Sequence, residues 1–571
     1  MLAVSKASLA CVLLALTSFT SAIPHDFALL PRLLSGGALR PLVGGGNNAT
    51  NGTAPPDNGT NPPPDGGNNG TNATTPDNTS PFSIDRIWTS THDMSPWITD
   101  ITSRYPPSSL QFVYFNSSNA SANLFPSPNQ RRQSFEGWGA AISDATATVL
   151  QDIRSQNETN YQEMLKLLFD PSPEYIEKGG AGLNFARVAF GTADFSLVEY
   201  TLDDRHDGSP DVNLTGFSIN ESPKLLKTLT DIVAIQPQIK IIYSVWSAPG
   251  WMKENATDDR PNSLHGGNIQ TQYYQAYANY LARAVKEFRD QGIPAYRLAL
   301  QNEPTWPSAL YPSTNMTAEA QADIGDLVRA ALDANNSTSV GLLAGDDAWN
   351  ATDYPLAVFN RSDVGSFVGT GYHCYGGNPS AQDTFDSAYP RKEIHLTQCR
   401  RSTQDFNEGW PNLKKTGDII DSIGYRARSV TLSTAVLNVS DDGTSGPSLP
   451  NGCQSCVSAL LVADDGTYKL SSDFAALAHG SLATRLREGE QTSKVIGVSS
   501  TEASLVSAGF VNDLGNGTSR FSLYILQKND HSGYGDSFDN VTAVISFRNT
   551  IASIELPVGL HTITWHAPTK P

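Results

Sequence analysis

The segment Arg297-Leu298-Ala299-Leu300-Gln301-Asn302-Glu303-Pro304 changes character halfway along. A strand-like run of aliphatic residues ends abruptly in an amide, an acid and a proline. A carboxylate beside an apolar run is costly to bury unless it stands at the open end of the strand, where it can do chemistry. Taken alone, the run is equally an ordinary strand closing on an idle acid. The rest of the chain decides between the two, because runs of the same kind recur along it.

Working outward, strands are expected at Phe135–Ile142, Leu183–Phe190, Ile239–Trp246, Tyr296–Gln301, Val340–Ala344, Phe367–Tyr372, Ile394–Thr397 and Ser429–Leu437. Segments of helical period lie between them. Leu225, Leu226, Leu229, Ile232 and Val233 fall on one face, with Ser222 as cap and Pro223 at the first helical position. Tyr274, Tyr277, Leu281, Val285 and Phe288 share a second face, and Ile324, Leu327, Val328 and Leu332 a third. Strands alternating with helices predict an α/β fold, a (β/α)8 TIM barrel over residues 131–480. Farther on the helical period stops, and Phe521–Gln527, Val541–Phe547 and Thr562–Trp565 read as strands between turns. An antiparallel β-sandwich over 481–571 is expected, joined by the early runs Ile84–Thr89 and Leu110–Phe115 within 83–130.

The 571 residues are 39% hydrophobic and 17% charged, enough for one large core or several, and the formal net charge is −18. That balance argues against nucleic acid and anionic membrane surfaces, which need clustered Lys and Arg. A neutral polymer is compatible with it. Residues 1–22 read as a secretory signal: Lys6 precedes the apolar run Leu9–Leu16, and Thr20-Ser21-Ala22 offers small residues for cleavage. No later run approaches the roughly 18 to 20 apolar residues of a membrane span. A secreted protein, extracellular or in the cell wall and without a transmembrane anchor, is expected.

Residues from about 43 to 80, rich in Pro, Asp, Asn, Gly and Thr, have little to bury; with the short stretch 23–42, a pro-segment or tail, they make 23–82 a disordered, glycosylated linker by expectation. Asn-X-Ser/Thr acceptors recur from Asn48 to Asn540. With Cys11 in the signal, Cys374, Cys399, Cys453 and Cys456 remain, and an even number in an oxidising compartment suggests two disulfides. Cys453-Gln454-Ser455-Cys456 reads as a loop staple rather than a redox or zinc half-site. A monomer without metal or cofactor is expected.

Barrel enzymes carry their reacting groups at the C-terminal ends of strands. Those ends, with the glycine-rich first strand, collect Glu136-Gly137-Trp138-Gly139, Arg187, Asp194, Trp246 to Trp251, Asn302-Glu303, His373-Cys374-Tyr375 and Gln398. Glu303 is the best-placed acid. Aromatics with a few polar groups suit a sugar ring, whose C–H faces pack on rings while its hydroxyls take hydrogen bonds. No Gly-rich phosphate loop, H-E-x-x-H or ordered Ser/His/Asp set is present. Each residue also has a structural reading: Arg187 as a buried ion-pair partner, His373 as a hydrogen-bonded core histidine, Trp246 and Trp251 as packing round a Pro-Gly turn. Arg400 and Arg401 read as a solvated pair before they read as a site for an acidic sugar.

Five stretches in order resemble glycoside hydrolase family 30. They are Phe135-Glu136-Gly137-Trp138-Gly139-Ala140-Ala141 with Ser143-Asp144-Ala145; Arg187 with Gly191-Thr192-Ala193-Asp194-Phe195-Ser196; Trp246-Ser247-Ala248-Pro249-Gly250-Trp251-Met252-Lys253; Gln301-Asn302-Glu303-Pro304; and His373-Cys374-Tyr375. The Cys453–Cys456 loop and the Asn-rich front resemble the fungal glucanase-like members, among relatives that include β-1,6-glucanases, β-xylanases and glucosylceramidases. The resemblance implies a barrel with a sandwich built from both chain ends, and a retaining two-carboxylate mechanism. It makes Glu303 the acid/base and Asn302 the amide that holds the sugar 2-hydroxyl, with Arg187, Asp194, Trp138, Trp246, Trp251, His373 and Tyr375 around the substrate. The nucleophile is then expected at the end of strand seven, about 5 to 5.5 Å from the first carboxyl.

Strand seven reads Glu393-Ile394-His395-Leu396-Thr397-Gln398-Cys399, with glutamine at the nucleophile position. A neutral amide is a poor nucleophile and does not stabilise an oxocarbenium-like transition state. Five-residue spacing puts Glu393 on the opposite strand face, and Asp405 and Glu408 belong to the following loop. Strand eight carries Leu432-Ser433-Thr434-Ala435, where the family usually has a tryptophan. The expected function is that of a secreted retaining β-glycosidase acting on β-glucan, β-1,6-glucan first, or on a glycoside such as glucosylceramide; the alternative is a catalytically impaired relative that binds cell-wall glycan without cutting it, and a structural wall glycoprotein comes third. Cys374 and Cys399 follow neighbouring strands, close enough to pair and leave Cys453 with Cys456, although other pairings stay open.

Overall fold

The computed structural model describes residues 79–91, 95–114, 123–205, 207–258, 260–363, 365–400, 413–440, 444–528 and 539–570. The expected signal, most of the expected linker, Arg401, Asp405 and Glu408 lie outside the described residues.

Eight parallel strands close into a barrel in chain order: Gly137–Ala141, Phe185–Ala189, Lys240–Ser244, Arg297–Ala299, Gly341–Ala348, Phe367–His373, Glu393–Gln398 and Ser429–Leu432. They fall on the eight expected runs. The last is shorter than expected, because the chain leaves the barrel after Leu432 and Val436–Val439 joins a separate four-stranded sheet. Side chains alternate across each strand. Phe185, Ile242, Ala299 and Leu343 cluster together with Tyr296 and Val368, whereas Ile241, Leu298 and Leu342 join the large core that also holds the helices.

The three expected helical faces are helices Pro223–Ile235, Tyr274–Asp290 and Ala318–Ala334. Pro223 opens its helix as expected, but the Ser222 side chain makes no capping hydrogen bond. The apolar stripes turn inward: Leu229 and Ile232, Tyr277 and Leu281, and Ile324 and Val328 are fully buried.

The first and last strands of the described chain form one ten-stranded sheet, closed on itself by the pairing of Thr79–Thr91 with Gln111–Tyr114. Both chain ends contribute, as expected. Leu124–Phe135, Ser493–Ser500, Leu505–Asp513 and Thr550–Leu556 add strands that were not anticipated. Inside lie Ile87, Phe112, Phe521, Ile545, Phe547 and Trp565. The helix Ser472–Thr484 is buried along its whole length between barrel and sheet. His479 reaches the sheet through Thr562 Oγ1 (3.1 Å) and Ser90 Oγ (2.9 Å), and burial lowers its pKa well below the usual histidine range.

The N-terminal end of the barrel is filled by charge. Arg297 holds Glu393 through two hydrogen bonds of 2.7 and 2.8 Å, and Glu136 pairs with Lys240 at 2.7 Å. Arg428 and His395 reach Glu393 from the side, at 3.3 and 3.2 Å. A barrel plugged in this way presents its working surface at the other end. Cys374 and Cys399 form a disulfide there, and Cys453 bonds Cys456.

Candidate active site

At the C-terminal end of the barrel, Arg187 is the hub. Its guanidinium is 1% exposed and lies over the Trp246 ring, 4.7 Å from the centroid. Nη2 donates to Asn302 Oδ1 at 2.8 Å and to Asp346 Oδ2 at 2.6 Å, while Nη1 donates to Gln398 Oε1. The ends of strands two, four, five and seven are thereby tied to one cation. Gln398 uses its other amide atom as well, Nε2 donating to the Tyr375 hydroxyl at 2.8 Å.

His373 lies between two acids. Its Nδ1 is 2.9 Å from Glu303 Oε1 and its Nε2 is 3.2 Å from Asp346 Oδ1. Burial alone would lower the imidazole pKa, but the Asp346 and Glu303 carboxylates outweigh it and raise the group to about 9. His373 is therefore an imidazolium at neutral pH. For Glu303 burial favours the neutral acid. The hydrogen bond and charge of His373, then Arg187 and Arg400, overcome this and hold its pKa below the ordinary carboxylate value. Asp346 is wholly buried, yet Arg187, His373 and Thr397 keep it ionised far below the usual range.

Backbone geometry fixes both acids. Glu303 (φ 46°) and Asp346 (φ 72°) occupy the left-handed region, which costs a non-glycine residue about 1 kcal/mol or more. Glu303 N donates to Asp346 O at 2.9 Å, so the two strained strand ends support one another. Gln301 Nε2 donates to Trp246 O at 2.6 Å and anchors the loop after strand three.

Asp194, Trp246, Gln398 and Ser433 line a cleft together with Arg187 and Ala193. Burial raises the Asp194 pKa, opposed by Arg400, whose Nη1 donates to Asp194 Oδ2 at 3.0 Å. Arg400 also lies 5.3 Å from the Tyr375 ring centroid. Arg400 is thus tied into the site, which corrects its reading as a solvated residue. Ser433 Oγ is buried with no hydrogen-bond partner among the described residues. The cleft holds about 20 Å³, room for about one water. A larger groove of about 510 Å³, lined by residues such as Glu254, Asn268 and Tyr274, contains none of the converging groups.

Two expected substrate contacts lie elsewhere. Trp138 sits between Gly137 and Gly139 and turns into the barrel–sheet junction. Its Nε1 donates to Thr484 Oγ1 at 3.0 Å, and a Cβ at Gly480 would lie 2.2 Å from the ring. Alternation along the strand sends this one large side chain outward, and Gly480 leaves the space for it. Trp251 donates from Nε1 to Asp203 O at 3.1 Å and packs edge-on to Tyr273. Both tryptophans are packing residues here. Glu393 also differs from expectation. It shares the barrel interior with the site and is separated along the axis, roughly 16 Å from Gln398 by strand rise, because a register irregularity at His373 lets consecutive Thr397 and Gln398 both reach inward.

Sequence reasoning missed Asp346, with Ser244 and Thr397, which donate to it at 2.8 and 2.6 Å. The rule that selected Glu303, an acid closing an aliphatic strand, applies equally to Leu342-Leu343-Ala344-Gly345-Asp346. Tyr311 was missed as well, and it packs on Ala189, Ala193 and Trp246.

The glycosyl hydrolase family 30 TIM-barrel domain matches residues 135–479. The chain belongs to glycoside hydrolase family 30. Among similar proteins, an endo-1,6-β-D-glucanase of Trichoderma harzianum is 29% identical over 362 residues, covering 61% of this chain and 69% of the relative. An endo-1,6-β-D-glucanase of Aspergillus fumigatus is 28% identical over 372 residues, covering 61% and 70%. A solved endo-β1,6-glucanase shares the fold with a TM-score of 0.68 at 23% identity, over 85% of this chain and 99% of that one. The family 30 match covers the barrel, while most of the ten-stranded sheet lies outside the matched residues. Among the described residues no helix is long and apolar enough to cross a membrane.

Proposed function

We propose that this family 30 site recognises β-linked glucan, β-1,6-glucan ahead of glucosylceramide, and that with glutamine at 398 it holds the glycan without completing the retaining reaction. The observation that carries this reading is the pair Glu303 and Gln398. Glu303 is half-buried at the acid/base position, its side chain 17% exposed, next to Asn302 and against the His373 imidazolium. Across the site both amide atoms of Gln398 are committed, one to Arg187 and one to Tyr375. Retention requires a carboxylate there to attack the sugar carbon and balance the developing positive charge. The names of the two fungal relatives support β-1,6-glucan as the polymer.

A working retaining hydrolase is the second reading. The intact Arg187, Asn302, Glu303 and His373 arrangement favours it, and it requires a carboxylate to replace Gln398. The test is titration of the full secreted protein with β-1,6-linked gluco-oligosaccharides, xylo-oligosaccharides and glucosylceramide, alongside hydrolysis assays. Binding of the β-1,6 series with hydrolysis at blank level is expected. Hydrolysis at ordinary enzyme rates would establish the second reading, and no binding to any of the three would overturn both. The protein is expected to act outside the cell as a monomer.

A further inference from the structure

We propose that Trp306 is a sugar-stacking platform on the leaving-group side of the site, holding the glucosyl unit one step beyond the linkage that Glu303 faces. This rests on the β-glucan reading above. Trp306 is the most exposed large apolar side chain among the described residues, at 69%. Leaving an indole in water forgoes the gain that burial of its apolar surface returns, and the local backbone holds it there. Trp306 N donates to Glu303 O at 2.9 Å, closing a turn directly on the acid/base. Thr305 donates to Asp347 Oδ2 from its amide (3.2 Å) and its hydroxyl (2.6 Å). Pro304 and Pro307 flank the turn and fix φ on either side. Ser308 N donates to Ser313 Oγ at 2.8 Å and closes the base of the loop. The indole is displayed on a preorganised support, so a ligand has little ordering entropy left to offset.

Position supplies the occupant. A general acid faces the leaving-group oxygen. Glu303 stands at strand four and Gln398 on the other side of the barrel at strand seven, so a residue tied to the Glu303 carbonyl lies on the leaving-group side. The same loop packs Tyr311 against the cluster of Ala189, Ala193 and Trp246, three residues that line the cleft, and leaves Trp306 exposed. Leu310 (58% exposed) extends the outer surface. A flat ring among Thr305 and Ser308 suits a glucosyl unit, which offers a C–H face to the indole and hydroxyls to water, better than an alkyl chain.

The experiment uses the full-length protein and its Trp306→Ala and Trp306→Phe variants, titrated calorimetrically with glucose, β-1,6-linked glucotetraose and glucosylceramide in detergent micelles. Thermal melting confirms that each variant is folded, as 69% exposure predicts. The wild type is expected to bind the tetrasaccharide, Trp306→Ala to bind it about tenfold more weakly, and Trp306→Phe to fall between. Glucose binding is expected to be the same in all three, and the tetrasaccharide to shift the fluorescence of the wild type more than that of Trp306→Phe. Equal tetrasaccharide affinity in wild type and Trp306→Ala overturns the platform while leaving the β-glucan reading intact. Loss confined to glucosylceramide overturns it in favour of a lipid contact. No tetrasaccharide binding by the wild type overturns the β-glucan reading and the platform with it.

Discussion

Arg187 donates a hydrogen bond from Nη1 to Oε1 of Gln398, across the mouth of the barrel from strand two to strand seven. The same guanidinium also holds Asp346, so its charge is already balanced by a buried carboxylate. A glutamate at 398 would occupy the same place and accept the same bond. The scaffold round position 398 is therefore compatible with either residue, and only one of them can act as a nucleophile.

Gln398→Glu is expected to raise kcat/KM on β-1,6-glucan by at least about a thousandfold over the unaltered chain, since removal of a nucleophile in other enzymes costs more than this. The first product should retain the β-configuration, as proton NMR of the reducing end will show. If the variant folds, binds glucan and still does not cleave it, the missing carboxylate is not the cause.

Glu303→Gln in the Gln398→Glu background is expected to reduce that recovered rate by about 10²- to 10⁴-fold, the range for general acid–base catalysis. Oligosaccharide affinity should be preserved. A parallel loss of affinity in titrations would mean that Glu303 serves to bind sugar rather than to move a proton.

Asp346→Asn leaves Arg187 and His373 buried without their shared anion, and is expected to lower stability by about 3 to 5 kcal/mol in chemical denaturation. An effect below about 1 kcal/mol would show that Glu303 alone neutralises the cluster. The substitution should also bring the His373 titration down toward its unfolded value, which histidine NMR can follow.

The raised pKa of His373, about 9 against 6.5 for the free side chain, predicts a pH-dependent stability. A group raised on folding contributes fully below its unfolded pKa and loses that contribution as pH climbs through the folded value. Melting temperature should therefore fall between about pH 6.5 and 9, and His373→Asn should flatten that limb. A wild-type melting curve level over this interval would contradict the imidazolium assignment.

Replacing Cys374 and Cys399 by serine opens a loop of sequence separation 25, worth about 3.5 kcal/mol in the chain-entropy account. The pair follows strands six and seven beside Tyr375 and Gln398, so weaker oligosaccharide binding is expected with the lower melting temperature. Unchanged affinity would show that the bridge stabilises the fold without shaping the site.

Much of this was legible in the sequence because it is periodic or local. The eight aliphatic runs, the helical stripes of Leu229 and Tyr277, and Glu303 closing Leu298-Ala299-Leu300 follow from side-chain alternation and the cost of burying a charge. The glutamine at 398 is equally a fact of sequence, and no fold changes its chemistry. Direction and company were left to the tertiary structure. Trp138 shares a motif with the site yet points outward, because strand geometry and the space at Gly480 decide where an indole fits. Glu393 and Gln398 share one strand and one interior but stand at opposite ends of it, which spacing alone does not reveal. Asp346 and Arg400 acquire meaning only from partners far away in the chain, and Trp306 from its exposure. Burial strength, ion pairing and exposure are properties of three-dimensional neighbours, and the barrel brings those neighbours together.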